Sequence, residues 1–371
     1  MRHIKQQLSY RAKTNLFYEL LAGGARTRLL ESVVNFNLPE LMGARGKFLE
    51  VELTEKLQLH PLRAKKWFFL LTREGFLRRK KIGNVYEYSL GPVLKELFVS
   101  NESQWWFFKQ MTYSWQTVAY ENFYEVLRGE PVKITYQWPP RNAVESVAIE
   151  EWMTRTSASP LYAIENALDL GSVSHLLDIG GGEGTMACEL AAKYPQLKIT
   201  VYNLPKACEL ARNKILEAGL QERITVVEGD FLKDETFPSG CDLVLFSRVL
   251  CDWSLETAKN LLKKAYDSIK PGCRVAICEA FQENNKDFSL AWEMRYVYWD
   301  EFETEVFKSS LTYKKILTDL GFKIKSLSKM TDESIYAVLS AEKKKWEIPL
   351  VGNLTSKFFT WRYERMQEVA N

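Results

Sequence analysis

The chain has 371 residues, of which 46% are hydrophobic, so two domains with substantial cores are expected. Its 50 basic and 47 acidic side chains leave a net charge of +3, which excludes a general electrostatic case for binding nucleic acid or an anionic membrane. No apolar run approaches the roughly 20 residues of a membrane span, and the N-terminus lacks the apolar core of a signal peptide.

The six cysteines and three histidines are scattered along the chain. Their spacing fits neither a disulfide framework nor a metal site. We therefore expect free thiols, no bound metal and a cytoplasmic location.

Residues 1–97 predict a winged helix. Two helical patterns meet near His60-Pro61, and an alternating segment then turns at Gly83-Asn84. The same region contains a cluster of basic residues, which are Arg63, Lys65, Lys66, Arg73, Arg78, Arg79, Lys80 and Lys81. A basic winged helix could bind DNA, but the apolar run from Trp67 to Leu71 favours a packed protein interface. We favour the interface.

Residues 98–160 are rich in aromatic side chains and helix-forming patterns, and we interpret them as a helical linker and substrate region. Pockets for flat organic molecules are lined mostly by apolar and aromatic groups, although each ring could equally belong to the core or to a dimer interface. Residues 343–371 predict a C-terminal tail with a helical, amphipathic pattern.

Residues 161–342 predict an α/β domain. From about Ser172, buried strands alternate with helices, which is typical of a parallel sheet covered by helices on both faces. Ser254 is a candidate N-cap for the helix that runs to about Ile269. The later apolar runs FKIKSL and SIYAVLS are expected to close the sheet.

A glycine-rich loop, DIGGGEG, follows the first of these strands and opens a helix. Its consecutive glycines Gly180, Gly181 and Gly182 allow a ligand to lie against the backbone. A dinucleotide site would prefer GxGxxG and an acid at the end of the second strand, whereas Thr185 and Asn203 occupy those positions. S-adenosylmethionine (SAM) has no pyrophosphate and does not require that spacing. Asp178, before the loop, also suits a ligand that carries sulfonium and ammonium groups, so we favour SAM over NAD.

The third strand ends in Gly229-Asp230-Phe231. A carboxylate beside an aromatic ring can hydrogen-bond an adenine amine and pack against its ring. The alternative is an ordinary strand-end turn. Its place after the third strand favours the ligand interpretation.

In order and spacing, DIGGGEG, YNLP, EGDF, CDLVLFSRVLCDW and PGCRVAICE resemble the motifs of the dimeric SAM-dependent O-methyltransferases, which include the caffeate and acetylserotonin enzymes. YNLP and EVFKSSLTYKKILTDLGF are similar to the bacteriochlorophyllide C-methyltransferase branch. The resemblance covers most of the chain. It implies an α/β fold with a Rossmann-like class I methyltransferase domain, an N-terminal all-helical/winged-helix dimerisation domain, and a homodimer.

The resemblance also implies roles for individual positions in SAM binding. The three loop glycines would contact the amino-acid portion of SAM, and Asn203 would bind its ribose. Asp230 and Phe231 would bind the adenine. Leu204, next to Asn203, is a further cofactor-binding candidate. An amide at 203, where most members have an acid, would bind the ribose hydroxyls as a neutral group. The remaining implied cofactor contacts are Met153, Ser157, Ser247 and Arg248.

The catalytic positions depart from the family pattern. Where the family has a histidine base before Asp-Trp, this chain has Cys251 before Asp252-Trp253. A thiol, with a reference pKa of about 8.5, is a poor base unless its surroundings lower that value, and Arg248 is the candidate group for lowering it. Otherwise Cys251 only lines the pocket, which is the interpretation we favour.

Glu279 matches a family acid that orients the base, and it could here orient substrate or act as the base itself. A second family acid is replaced at about Phe307. The expected catalytic set is therefore Cys251, Asp252 and Glu279. We predict a SAM-dependent methyltransferase that transfers the methyl group to an oxygen of a small hydrophobic acceptor. Aromatic compounds are among the acceptors we consider. C- or N-methylation, or a non-catalytic SAM-binding regulator with a DNA-binding winged helix, are the alternatives.

Overall fold

The computed structural model describes residues 10–99, 105–113, 123–130, 142–283, 286–297 and 306–344. The predicted tail helix lies outside these residues from position 345 onward, as does part of the aromatic region. The chain divides into two compact units, Met1–Thr156 with Leu290–Glu301 and Ser157–Ser289 with Phe302–Asn371. Within the described ranges, no helix is both long and apolar enough to cross a membrane.

The first unit is mostly helical and contains a small antiparallel sheet in the order β1-β3-β2. Its strands are β1 (Lys47–Leu49), β2 (Leu77–Ile82) and β3 (Val85–Leu90). Its helices are α1 (Tyr10–Asn35), α2 (Leu38–Arg45), α3 (Glu50–Lys56), α4 (Pro61–Arg73), α5 (Pro92–Val99), α6 (105–113), α7 (Phe123–Val126) and α8 (Ala143–Arg155).

The winged-helix pattern predicted from the sequence is present in this unit. α3 and α4 are separated at His60, and the β2–β3 hairpin pairs Ile82 with Val85 across the predicted turn. One face of α4 is buried, and its Phe68 ring packs on Tyr88 with centroids 4.9 Å apart. Most basic side chains of α4 and β2 remain on the exposed surface, and Arg79 lies over the Tyr86 ring.

The second unit contains a seven-stranded sheet in the order β6-β5-β4-β7-β8-β10-β9. Its strands are β4 (His175–Ile179), β5 (Lys198–Asn203), β6 (Ile224–Glu228), β7 (Leu243–Ser247), β8 (Arg274–Glu279), β9 (Phe322–Leu327) and β10 (Ala337–Lys343). Its helices are α9 (Ala158–Ala167), α10 (Thr185–Lys193), α11 (Pro205–Glu217), α12 (Leu255–Ser268) and α14 (Ser310–Asp319), while α13 (Lys286–Glu293) spans the boundary between the units.

The parallel sheet predicted from the alternating strands and helices is present, and the pairing becomes antiparallel at one edge. β4 to β8 pair in parallel, but β10 pairs antiparallel with both β8 and β9. β9 and β10 are joined without an intervening helix, and such a short connection can join only antiparallel neighbours. The two apolar runs do complete the sheet, as predicted.

Helices cover both faces of this sheet. α12 and α14 bury Leu261 and Leu317 on one face, and α9, α10 and α11 bury Ile164, Leu190 and Ile215 on the other. α12 begins at its predicted cap, where Ser254 Oγ accepts a hydrogen bond from Thr257 N at 3.0 Å. The carboxyl ends of the parallel strands therefore meet at one edge, where ligands bind in open α/β sheets.

Candidate active site

The glycine loop lies at the carboxyl end of β4, between that strand and α10. Gly180 and Gly182 have φ values of 70° and 56°, which side chains rarely adopt. A Cβ atom at Gly181 would overlap the Asp178 carboxylate and lie 3.2 Å from Val201 Cγ1. The loop therefore presents bare backbone at a point where a side chain has no space.

Asp178 lies directly beneath this loop and is 3% exposed. Burial raises the pKa of its carboxyl group to about 7, although the nearby positive charge of Arg248 acts against the rise. Arg248 has a φ of 57°, and its backbone N–H donates to Cys278 O at 3.0 Å. Ser247 ends β7 beside Cys278 of β8. Asp178, Ser247 and Arg248 thus lie at or next to the carboxyl ends of the adjacent strands β4 and β7.

The end of β5 carries Asn203, the predicted ribose-binding residue, followed by Leu204. Asn203 Oδ1 accepts a hydrogen bond from Leu204 N at 2.8 Å, which orients the amide at the start of α11. Next to it, Gly229 N donates to Asn203 O at 2.9 Å. This hydrogen bond links the ends of β5 and β6. It places Asn203 beside Gly229, the residue that directly precedes Asp230 in the predicted adenine turn.

Asp230 and Phe231 follow β6. Asp230 forms an ion pair with Lys233 at 2.9 Å, and the hydrogen bond in that pair lowers the pKa of the Asp230 carboxyl group. The Phe231 ring packs edge-on against Trp253, with centroids 5.6 Å apart. A Cβ atom on Gly180 would be 3.7 Å from the Phe231 ring, so this aromatic ring lies beside the glycine loop.

A hydrogen-bonded network that the sequence did not indicate supports this turn. The Tyr202 hydroxyl donates to Asp234 Oδ2 at 2.5 Å, and the same oxygen accepts from Asp230 N at 3.1 Å. Lys264 Nζ donates to Phe231 O at 2.9 Å. Any side chain at Gly229 would overlap the Tyr202 ring. Residues from three elements thus fix the Asp230–Phe231 backbone.

Glu279 is the last residue of β8 and is 2% exposed. Its Oε1 accepts hydrogen bonds from the backbone N–H groups of Val249 and Leu250 at 3.1 Å each, and from Cys251 N at 3.4 Å. Burial raises the pKa of Glu279 to about 7. The carboxylate therefore organises the turn after β7 and has a pKa suited to proton transfer near neutral pH.

The suggestion that Arg248 lowers the pKa of Cys251 was wrong. Burial is the main cause that raises the pKa of the Cys251 thiol well above its ordinary value, and the negative charges of Asp252 and Glu279 raise it further. Cys251 Sγ lies 3.6 Å from Asp252 Oδ1 and can donate its proton there. Burial also raises the pKa of Asp252, to about 6. At neutral pH the thiol is therefore a hydrogen-bond donor and an ineffective base.

Two further buried side chains of the second unit, Lys308 and Tyr313, were not predicted from the sequence. Lys308 is 4% exposed, and its Nζ donates to the carbonyl oxygens of Cys251 at 3.0 Å, Trp253 at 2.5 Å and Val306 at 3.1 Å. Tyr313, on α14, is 1% exposed. Both belong to a run with an ordinary amphipathic pattern, in which one buried lysine gives no signal. Phe307, which the resemblance puts at about the position of the second family acid, is buried.

Met153 and Ser157 lie in different units. Met153 is on α8 of the first unit, and Ser157 precedes α9 in the second. α9 packs near β8, where Cys278 Sγ is 3.8 Å from Pro160 O. The proposed contacts of these two residues with SAM remain predictions.

The residues at the carboxyl edge fit SAM. The loop accommodates a ligand against bare backbone, and the buried Asp178 carboxylate supplies negative charge beneath it. In the part of the chain that the structure describes, no group of three or more His, Cys, Asp or Glu side chains is placed to bind a metal ion.

Comparison with known proteins identifies the family of this chain. A family model described as an O-methyltransferase domain matches residues 112–323. The chain is 30% identical over 319 residues to an L-tyrosine C(3)-methyltransferase from Streptomyces lavendulae, a match that covers 82% of this chain and 85% of that protein. It is 28% identical over 210 residues to the bacteriochlorophyllide d C-20 methyltransferase of Chlorobaculum tepidum, covering 55% of this chain and 61% of that protein.

The fold is also that of a solved methyltransferase. Human N-acetylserotonin methyltransferase, solved in complex with SAM, superposes with a TM-score of 0.63 at 19% identity, over 93% of this chain and all of that chain. Together with the family match, these findings show that the chain belongs to the O-methyltransferase family and is a SAM-dependent methyltransferase.

Proposed function

We propose that this enzyme transfers the methyl group of SAM to the hydroxyl oxygen of a small hydrophobic phenol. The observation that carries the proposal is the buried carboxylate of Glu279, whose pKa is raised to about 7 at the end of β8. A phenol hydroxyl has an ordinary pKa of about 10 and must lose its proton to become a strong nucleophile. A base with a pKa near the operating pH is suited to that task.

SAM supplies a methyl group on a sulfonium that leaves readily. The chain must hold the methyl acceptor in line and remove its proton. Three backbone N–H groups donate to Glu279 Oε1 and fix the carboxylate in place. The Cys251 side chain also hydrogen-bonds the Glu279 carboxyl group and lowers its pKa, against the larger effect of burial. We assign proton removal to Glu279, and to Cys251 a position along the pocket wall.

C-methylation is the second candidate, favoured by the L-tyrosine C(3)-methyltransferase relative at 30% identity. In that reaction, loss of the phenol proton would activate the neighbouring ring carbon, so the same base would serve. Both candidates require a phenol, and they differ in the atom that receives the methyl group.

We further propose that SAM is held by the residues predicted from the sequence. For ten of these residues, placement at or next to the ends of β4, β5, β6 and β7 supports this assignment, while Met153 and Ser157 are assigned from the family resemblance alone. The full set is Asp178, Gly180, Gly181, Gly182, Asn203, Leu204, Asp230, Phe231, Ser247 and Arg248, with Met153 and Ser157.

We also propose a homodimer formed through the first unit. α1 exposes a run of large apolar and aromatic side chains, with Phe17, Tyr18 and Leu20 each more than half exposed at 57%, 63% and 70%. Contiguous exposed apolar surface of this kind marks protein interfaces. Light scattering after size-exclusion chromatography would contradict the proposal by giving the 43.1 kDa mass of a monomer.

The test of function begins with calorimetric titration of SAM, S-adenosylhomocysteine and NAD, and we expect the first two to bind. SAM labelled with a heavy isotope in its methyl group is then incubated with a panel of phenols and the products are analysed by NMR. A methoxy signal supports O-methylation, and a methyl signal on a ring carbon supports C-methylation. No labelled product from any phenol contradicts both.

Variants separate the two candidate bases. Glu279→Gln retains the oxygen that accepts the backbone hydrogen bonds but cannot take a proton at neutral pH, so kcat should fall by roughly 10²–10⁴. Cys251→Ala should keep most of the activity. A Cys251→Ala variant as inactive as Glu279→Gln would assign proton removal to the thiol.

A further inference from the structure

Glu183 is the only residue of the glycine loop, positions 180–184, that has a side chain. Gly180, Gly182 and Gly184 have positive φ values of 70°, 56° and 79°. Glycine loses more conformational freedom on ordering than any other residue, so a loop of this composition is costly to hold in one conformation. Within the loop, Glu183 is the one position at which another part of the fold can hold it by a side chain.

Lys214, on α11, holds that side chain. Its ammonium group donates a hydrogen bond to Glu183 Oε1 and another, at 2.7 Å, to the hydroxyl oxygen of Thr185. The Thr185 hydroxyl in turn donates to Glu183 Oε1 at 3.0 Å. The side chains of Lys214 and Glu183 are only 31% and 22% exposed. A partly buried network of three side chains restrains its members more than an isolated ion pair on the surface does.

The glycine loop also packs directly on α11. A Cβ atom on Gly184 would lie 3.6 Å from Ala211 Cβ and 3.7 Å from Ile215 Cδ1. Ala211 and Ile215 are buried and lie on either side of Lys214 in the same helix. α11 follows the strand that ends in Asn203, the residue assigned to the ribose. Lys214 therefore ties the loop to the helix that continues from the ribose-binding position.

We propose that Lys214 is a positioning residue that, through Glu183, holds the glycine loop in the conformation that binds the amino-acid portion of SAM. The inference rests on the SAM site included in the proposed function, and it adds the group that keeps the loop of this site in place. A binding surface that is ordered before the ligand arrives loses less conformational freedom on binding. Without the ammonium group, more of the ordering of the loop must occur when SAM binds, so the affinity falls.

The effect should be confined to ligands that contact the loop. S-adenosylhomocysteine contains the amino-acid portion, whereas 5′-methylthioadenosine has the same adenosine and a thioether but lacks the amino-acid portion. The adenosine is assigned to Asn203 and Asp230, at or next to the ends of β5 and β6. Lys214 should therefore influence the binding of S-adenosylhomocysteine and leave that of 5′-methylthioadenosine unchanged. A general structural role would affect both ligands.

The test measures binding of both ligands to the full chain by equilibrium dialysis. The variants are Lys214→Met, Lys214→Arg, Glu183→Met and the double variant Glu183→Met/Lys214→Met. Lys193→Met is the matched control, because Lys193 Nζ also forms an ion pair, with Glu165 Oε1 at 2.8 Å, but at the opposite end of α10 from the loop. Thermal unfolding of every variant reports the effect on stability.

We expect Lys214→Met and Glu183→Met each to bind S-adenosylhomocysteine roughly threefold to tenfold more weakly than the wild type. The double variant should be no weaker than either single variant, because all three lack the same contact. Lys214→Arg should restore most of the affinity, and Lys193→Met should match the wild type. The affinity for 5′-methylthioadenosine should be the same in all of these proteins.

Unchanged binding of S-adenosylhomocysteine in Lys214→Met, equal losses for both ligands, or additive losses in the double variant would overturn the inference. Gly181→Ala separates this result from a failure of the SAM site itself. Weaker binding in Gly181→Ala but not in Lys214→Met would refute the inference alone, and a loss in neither would refute both. Lys214-dependent binding of S-adenosylhomocysteine without methylation of any phenol would support the inference and refute the proposed acceptor.

Discussion

The ammonium group of Lys308 donates a hydrogen bond to the backbone carbonyl oxygen of Cys251 at 3.0 Å. This contact joins the segment before α14 to the turn that carries Cys251 and Asp252. The same positive charge lowers the pKa values of Asp252 and Glu279, against the larger effect of burial. Lys308 is therefore a positioning residue that also affects proton transfer at the site.

Replacing Lys308 by Met should change the pH dependence of the reaction. Without the ammonium group, the pKa of Glu279 rises further, so less of the carboxylate is ionised at neutral pH. We expect kcat/KM at pH 7 to fall on the order of tenfold and to recover at higher pH. A pH profile of kcat/KM with a phenol that the wild type methylates provides the measurement.

Lys343→Met is the matched control, because Lys343 Nζ also donates to two carbonyl oxygens, those of Tyr266 at 2.7 Å and Ile269 at 2.9 Å, but outside the carboxylate cluster. We expect its pH profile to match that of the wild type, and Lys308→Arg to restore part of the activity. A Lys308→Met profile that falls equally at every pH would indicate a structural role alone.

Gly181→Ala should disrupt the SAM site. The new Cβ atom would overlap the Asp178 carboxylate and approach Val201 Cγ1 to 3.2 Å. Overpacking of this kind costs typically about 1–3 kcal/mol, and relief by loop movement would alter the SAM-binding surface. Calorimetry should show weaker SAM binding, and urea unfolding should show a lower free energy of unfolding. Gly171→Ala is the control, since its Cβ would meet only Asp169 Oδ1 at 3.4 Å. Wild-type SAM affinity in Gly181→Ala would contradict the proposed binding surface.

The carboxyl group of Asp178 should make the protein less stable as the pH rises through neutrality. Its pKa is raised by burial from 3.8 to about 7 in the folded state. Between those values the folded protein holds a proton that the unfolded chain has released, so the free energy of unfolding falls as pH increases. Asp178→Asn removes this contribution.

Urea unfolding at about pH 5 and about pH 7.5 measures the effect of Asp178. Compared with the wild type, the Asp178→Asn variant should have a relatively larger free energy of unfolding at the higher pH than at the lower pH. In the control Asp230→Asn, the replaced group has a lowered pKa, so it is ionised in both states throughout this range. Its difference from the wild type should be the same at both pH values. If the stability difference between Asp178→Asn and the wild type is also the same at both pH values, Asp178 does not change its protonation between them.

Tyr202→Phe should weaken SAM binding, although Tyr202 is not among the residues assigned to contact SAM. The lost hydroxyl donates to Asp234 Oδ2, which also accepts from Asp230 N, so the variant loosens the turn assigned to adenine. A lost hydrogen bond of about 1 kcal/mol corresponds to a roughly fivefold weaker affinity, measurable by calorimetry. Tyr266→Phe should retain wild-type affinity, and an unchanged affinity in Tyr202→Phe would remove this network from cofactor binding.

The sequence by itself was sufficient for the order of strands and helices in the second unit and for the glycine loop after β4. The Ser254 cap, the β2–β3 hairpin and the loop at Gly180 depend on residues close together in the chain. Local hydrogen bonding, side-chain periodicity and the conformational freedom of glycine determine such features, and each is visible in a short window of sequence. The carboxyl ends of parallel strands then bring the predicted cofactor residues to one edge.

Only the tertiary structure determined the proton chemistry of the site. Lys308 Nζ reaches the carbonyl oxygen of Cys251 across 57 positions in the chain, and Glu279 accepts a hydrogen bond from Val249 N across 30 positions. From the sequence, Arg248 was one candidate for lowering the pKa of Cys251, but burial and the neighbouring carboxylates raise it. A pKa depends on desolvation and on every charge nearby in space. Those neighbours come from distant segments, so the spacing of residues along the chain does not specify them.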